Sequence, residues 1–150
     1  YRRPMIKYSI PALLLFVILL TAPGAQAGEP IISAQEASRQ SNSGKLLMID
    51  VRSPGEWRQT GVPVGASAIT IHDPAGMTSF LDNVMEAVDG NKNARIALIC
   101  ARGNRSHRTQ QFLSQRGFTQ VLDVSEGMLG RNAAPGWLAR NLPVEKCEHC

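Results

Sequence analysis

The chain has 150 residues, 43% of them apolar and 19% charged, with three cysteines, a composition that belongs to globular proteins. It excludes a disordered chain, a collagen and a disulfide-dense mini-scaffold. The formal charge of +4 invites a nucleic-acid partner, so the position of the sixteen basic residues has to be settled first.

Arg2, Arg3 and Lys7 stand ahead of an apolar run from Ile10 to Leu20, and Pro23, Gly24 and the small-x-small Ala25-Gln26-Ala27 come after it. This is the layout of a secretory signal peptide over residues 1–27, with Met5 a candidate for the true start and cleavage after Ala27. The eleven-residue run falls short of the roughly 20 residues that span a bilayer, so no stable membrane span is expected after cleavage. Without this segment thirteen basic residues face twelve acidic ones, and a nucleic-acid partner loses its electrostatic basis. The remaining 123 residues suffice for one core and are too few for two. The expectation is one exported domain over 28–145, periplasmic or secreted, with a short tail at 146–150.

Ser33 with Glu36 three positions on is a capping-box signature for a helix through about Gln40. Leu46-Leu47-Met48-Ile49 is an unbroken apolar run of the kind found in strands buried on both faces, and it ends in the polar Asp50-Val51-Arg52-Ser53. A second, weaker strand is expected at Ala68 to Ile71. Phe80, Leu81, Val84, Met85 and Val88 recur at helical spacing within a helix from about Thr78 to Val88, which Asp89-Gly90-Asn91 stops. Arg95 to Cys100 reads as another buried strand, Ser106 to Arg116 as a helix that Gly117 ends, and Val121 to Val124 as a further strand. Strand, tight loop, helix and strand make a βαβ unit with parallel strands, so the class is α/β. Beyond Val124, loop and one short helix near Pro135-Gly136-Trp137 are expected, closing with Leu142-Pro143-Val144.

A lone cysteine at a strand end is ordinarily an inert small hydrophobe. The residues after Cys100 change that. Gly103 permits a turn that other residues resist, and Ser106 is expected to cap the next helix, so the N–H groups of 101–106 can turn inward around the sulfur. The helix amino terminus, with Arg102 and Arg105 beside it, favours a thiolate.

At these residues the chain resembles the rhodanese-like sulfurtransferases. Cys100-Ala101-Arg102-Gly103-Asn104-Arg105-Ser106 is similar to the family's C-x-x-G-x-R-[ST] active loop. Ile49 to Trp57, Glu126-Gly127-Met128-Leu129-Gly130 and the closing Leu142-Pro143-Val144 match further blocks in order, so the resemblance covers nearly all of residues 31–145. It implies a single rhodanese-like domain with an open, mainly parallel sheet of about four to five strands flanked by helices. It also implies a thiosulfate sulfurtransferase, in which Cys100 takes a sulfane sulfur from a small sulfur-containing anion and passes it to a thiol or cyanide. No cofactor and no metal are implied. Dual-specificity phosphatases and arsenate reductases place the arginine one position later, where this chain has Ser106, and that longer loop wraps a tetrahedral oxyanion. The resemblance gives Arg102 the donor's sulfonate to hold and makes Arg105 an organiser of the loop. Asp50 and Arg52 match a pair that the family keeps near the loop, readable equally as a plain strand-end ion pair, and Glu56 and Trp57 are expected to be structural. The family's G-H-I-P-G-A segment is replaced by Gly61-Val62-Pro63-Val64-Gly65-Ala66, so its histidine is absent and its proline displaced. His72 and His107 have no motif behind them.

Cys147-Glu148-His149-Cys150 falls outside the rhodanese pattern. A local disulfide at a tail is one reading, leaving Cys100 as the unpaired thiol. A redox or sulfur relay in which Cys147 or Cys150 takes sulfur from Cys100 is another, and a metal site would need further ligands from His72, His107 or His149. At the level of the whole protein, a non-catalytic rhodanese-like binding module is the alternative to an enzyme. Such a module would be expected to lack Cys100 or to disrupt its loop, and neither is seen.

Overall fold

The computed structural model describes residues 30–147 and residue 150. The signal segment assigned to residues 1–27 lies outside the described residues, as do Glu148 and His149 of the tail.

The elements in chain order are α1 (Ala34–Asn42), β1 (Leu47–Asp50), α2 (Pro54–Thr60), β2 (Val62–Pro63), β3 (Ala66–Ala68), α3 (Met77–Ala87), β4 (Arg95–Ile99), α4 (Asn104–Ser114), β5 (Gln120–Asp123) and β6 (Val144–Glu145). The main sheet has the order β3-β1-β4-β5, and all its pairs are parallel. The fold is therefore α/β, a four-stranded parallel sheet flanked by helices. β2 and β6 make a separate antiparallel pair.

Parallel strands covered on both faces must be apolar on both, and β4 shows how the pleat divides its residues. Ile96, Leu98 and Cys100 point into one core with Ile49 and Val51 of the β1 segment, Phe80 and Val84 of α3, and Leu113 of α4. Ala97 and Ile99 point into the other, with Met48, Ala34 and Ala37 of α1, Met128 and Trp137. Register then sets the site, because Asp50 stands opposite Ile99 and Leu98 opposite Asp123. The carboxyl ends of β1, β4 and β5 thus lie side by side, the edge where an open α/β sheet gathers its functional residues.

Four sequence expectations need correction. The edge strand lies at Ala66–Ala68, and Ile69 and Ile71 continue it only through single hydrogen bonds to the Asp50 and Val51 carbonyls. α4 begins at Asn104, two residues ahead of the expected start, with Gly103 as its cap and no side-chain cap bond. Ser106 is consequently a buried first-turn residue whose hydroxyl is free for another partner. The segment near Pro135-Gly136-Trp137 forms turns and no helix, since the Trp137 and Leu138 amides bond back to the Gly127 and Met128 carbonyls. Finally, α2 and the β2–β6 pair were not anticipated. α2 starts on a full capping box between Ser53 and Glu56 with Pro54 in its first turn, the same S-x-x-E signal that marks α1.

Candidate active site

Cys100 comes directly after β4, is 1% exposed, and is a free thiol. Its Sγ accepts the Gly103 N–H at 3.1 Å and the Ser106 hydroxyl at 3.4 Å. Gly103 has φ +80°, which an L side chain rarely adopts, and a Cβ there would lie 2.1 Å from the Ser125 carbonyl oxygen. The bend that aims the Gly103 amide at the sulfur therefore depends on the absence of a side chain. Behind the loop, Met128 and Leu129 donate their amides to the Cys100 and Ala101 carbonyls, both at 2.9 Å. Gly127, at φ +66°, permits that approach, since a Cβ would sit 2.5 Å from the Ala101 oxygen. The Glu126-to-Gly130 block is thus the floor on which the Cys100 loop rests.

Arg105 does not reach outward as a free cation. Its Nη1 and Nη2 donate to Glu56 at 2.8 and 2.5 Å, a two-pronged bond that joins the active loop to α2. The Arg105 guanidinium holds the Glu56 carboxyl down to about 2, with burial opposing and Ser53 assisting. Nη1 of Arg105 also lies 3.1 Å from His72 Nε2, bringing to the loop a histidine that no motif had marked. Arg102 is exposed, and its Nη1 donates to the Gly130 carbonyl at 3.4 Å. Asn104 is exposed in the first turn of α4, and His107 is exposed one turn on.

Asp50 and Arg52 are both fully buried and paired at 2.7 Å. Arg52 Nη1 donates to Thr60 Oγ1, and Nη2, besides pairing with Asp50, donates to the Gly61 carbonyl, both at 2.7 Å. The pair ties the carboxyl end of α2 to the end of β1, and so fixes the helix that carries Glu56. It acts on Cys100 only through that helix and Arg105.

Asp123 is a residue that the sequence did not single out. It is 2% exposed, and its Oδ1 has no hydrogen-bond partner. Burial pushes its carboxyl upward, with the Ser106 hydroxyl, His107 and Arg131 opposing. The Ser106 hydroxyl, which donates to the Cys100 sulfur, also lowers the Asp123 carboxyl. The available signal was an acid at the carboxyl end of a buried strand. Cys147 and Cys150 form a disulfide three positions apart, and Arg58 of α2 donates to the Cys150 carbonyl. Among the described residues no cluster of His, Cys, Asp and Glu could hold a metal ion.

A strand-end cysteine seated in a loop that a helix start and an arginine close is the arrangement of a rhodanese-like domain, and residues 33–134 match the model of the Rhodanese-like domain family. The chain belongs to that family. An uncharacterized protein of Rickettsia conorii is 30% identical over 99 residues, covering 65% of this chain and 80% of that protein. A sulfurtransferase of Allochromatium vinosum is 24% identical over 115 residues, 76% of this chain and 92% of the relative. Among solved structures, the rhodanese-like domain of the Anabaena Alr3790 protein has the same fold, with TM-score 0.62 and 21% identity over 79% of this chain and 80% of its own.

Proposed function

We propose that the protein is an exported thiosulfate-type sulfurtransferase that works through a persulfide on Cys100. The observation that carries this reading is the Cys100 sulfur held by the Gly103 amide and the Ser106 hydroxyl inside a loop locked by Arg105 and Glu56. Both donors point at the sulfur, where they stabilise negative charge on it during attack. The thiolate attacks the outer sulfur of thiosulfate, a new S–S bond forms, and the bond to the sulfonate sulfur breaks with release of sulfite. The terminal sulfur of the persulfide carries the negative charge within reach of the loop donors. An acceptor thiol or cyanide then attacks that sulfur and leaves with it, as a persulfide or thiocyanate, returning Cys100 to the thiolate. In this reading Arg102, exposed beside Cys100, holds the donor's sulfonate, and Arg105, paired with Glu56, keeps the loop closed. Export rests on residues 1–27, read from sequence.

One mass measurement tests both halves. Protein made with its full sequence in a secreting host should be recovered beginning at Gly28, and after incubation with thiosulfate its intact mass should rise by one sulfur atom. Cys100→Ser should show no such gain. A wild-type protein that takes up no sulfur overturns the catalytic reading, and an intact amino terminus overturns cleavage after Ala27.

A further inference from the structure

α4 presents Arg105, Arg108, Thr109 and Phe112 along one stripe, since residues three, four and seven apart share a helix face. Opposite this stripe lie Ile71 and His72 of the chain between β3 and α3, and Met77 at the start of α3. Between them is a groove of about 400 Å³. This is within the roughly 300–1,000 Å³ of small organic ligand sites and well beyond what an inorganic oxyanion fills.

Its charges are unbalanced in a specific way. Arg105 is neutralised by Glu56. Arg108 is exposed, and its guanidinium enters no ion pair among the described residues. The apolar wall is half-buried Ile71, Met77 and Phe112. The Phe112 ring is braced from elsewhere, by the Arg116 guanidinium 3.4 Å from its centroid and by the Phe80 ring at 6.3 Å. The result is a preformed apolar slot with one spare positive charge, and Arg105 of the Cys100 loop is part of its lining.

We propose that this groove is the acceptor subsite and that it takes a small thiol bearing one carboxylate on an apolar, ring-sized body. Arg108 pairs with the carboxylate, Ile71, Met77 and Phe112 cover the body, and the thiol end points toward the loop. The inference rests on sulfur transfer through Cys100 for its purpose, and on the groove alone for its chemistry. In the transfer the acceptor's sulfur bonds to the terminal persulfide sulfur, the bond between that sulfur and Cys100 breaks, and Cys100 leaves as thiolate.

Two measurements on the whole protein decide it. In the first, Cys100 is loaded with thiosulfate and discharged by 4-mercaptobenzoate or by 2-mercaptoethanol, and the ratio of the two rates is compared between variants, so that intrinsic thiol reactivity cancels. Arg108→Gln should lower the ratio about tenfold, the size of one charge-assisted hydrogen bond, and Arg108→Lys should restore most of it. An unchanged ratio overturns the proposal. In the second, 4-methylbenzoate, which carries no sulfur, is titrated against the protein. The methyl resonances of Ile71 and Met77 should shift in wild type and much less in Arg108→Gln, and their failure to move overturns the subsite whether or not Cys100 loads. Shifts without loading would refute sulfur transfer and leave the binding groove standing.

Discussion

Two carboxyl groups near Cys100 are displaced in opposite directions, and each leaves its own mark on the pH dependence of stability. Glu56 is held at about 2, down from 4.5, chiefly by its hydrogen bonds from Arg105. A carboxyl depressed in the folded state stabilises the fold above its unfolded value and loses that contribution as pH falls toward the folded value. Wild type should therefore exceed Glu56→Gln by about 1–2 kcal/mol at neutral pH, a discounted figure because both partners keep contact with water. The gap should close between pH 4.5 and about 2, as read from urea midpoints across that window. A gap that stays constant through it would show that Glu56 acts by packing and not by charge. Asp123 has the reverse sign, because burial raises it: its neutral form is favoured, and its contribution declines as pH rises above 3.8. Repeating the series in an Asp123→Asn background separates the two.

At the scale of elements, α2 is the part that connects the sheet to the chemistry. Its amino end supplies Glu56 to the active loop, and its carboxyl end is tied through Thr60 and Gly61 to the Asp50–Arg52 pair. Arg52→Met removes one partner of a buried ion pair and leaves Asp50 charged and uncompensated, which costs about 3–5 kcal/mol. The expected result is a large drop in the denaturation midpoint, with loss of Cys100 reactivity before global unfolding as α2 loosens. A midpoint within about 1 kcal/mol of wild type would mean that Asp50 finds other partners. The elements around α2 also show what sequence reveals and what it does not. β1 and β4 were legible because burial on both faces demands unbroken apolar runs, and α1 and α3 because their caps and spacing are local. α2 carries the same capping signal, yet its seven residues offer only Trp57 as a buried anchor, so no periodicity draws attention to it. The helix expected near Trp137 fails for the converse reason. Trp137 is buried and its indole donates to the Pro143 carbonyl, a contact that no local pattern announces. Within the site, the loop from Cys100 to Ser106 is legible as a contiguous motif. Glu56, His72 and Asp123 join it only through strand register and helix placement.

At the scale of the whole molecule, the Cys147–Cys150 bond tests whether the tail holds the domain together. The bond closes a very short stretch of chain, so the loop-closure entropy it removes from the unfolded state is small, about 2 kcal/mol at most. What the folded domain gains from the tail is also slight: β6 has two residues, both exposed, and it pairs only with β2. The load is carried instead by the two cores that the parallel sheet separates, neither of which includes a tail residue. Cys147→Ser/Cys150→Ser should therefore lower the melting temperature by only a few degrees for a domain of this size. It should also leave the proposed uptake of one sulfur from thiosulfate unaffected, because Cys100 is the free thiol and its loop is built from β4, α4 and the Glu126-to-Gly130 floor. Thermal melts and intact mass on the double variant check both statements. If sulfur uptake persists but the persulfide on Cys100 then outlives that of pre-reduced wild type, the tail dithiol is an acceptor in its own right. In that event the reduced pair gives up two electrons and closes to the disulfide as the terminal sulfur leaves as hydrogen sulfide. Equal lifetimes would restrict the tail to a structural part.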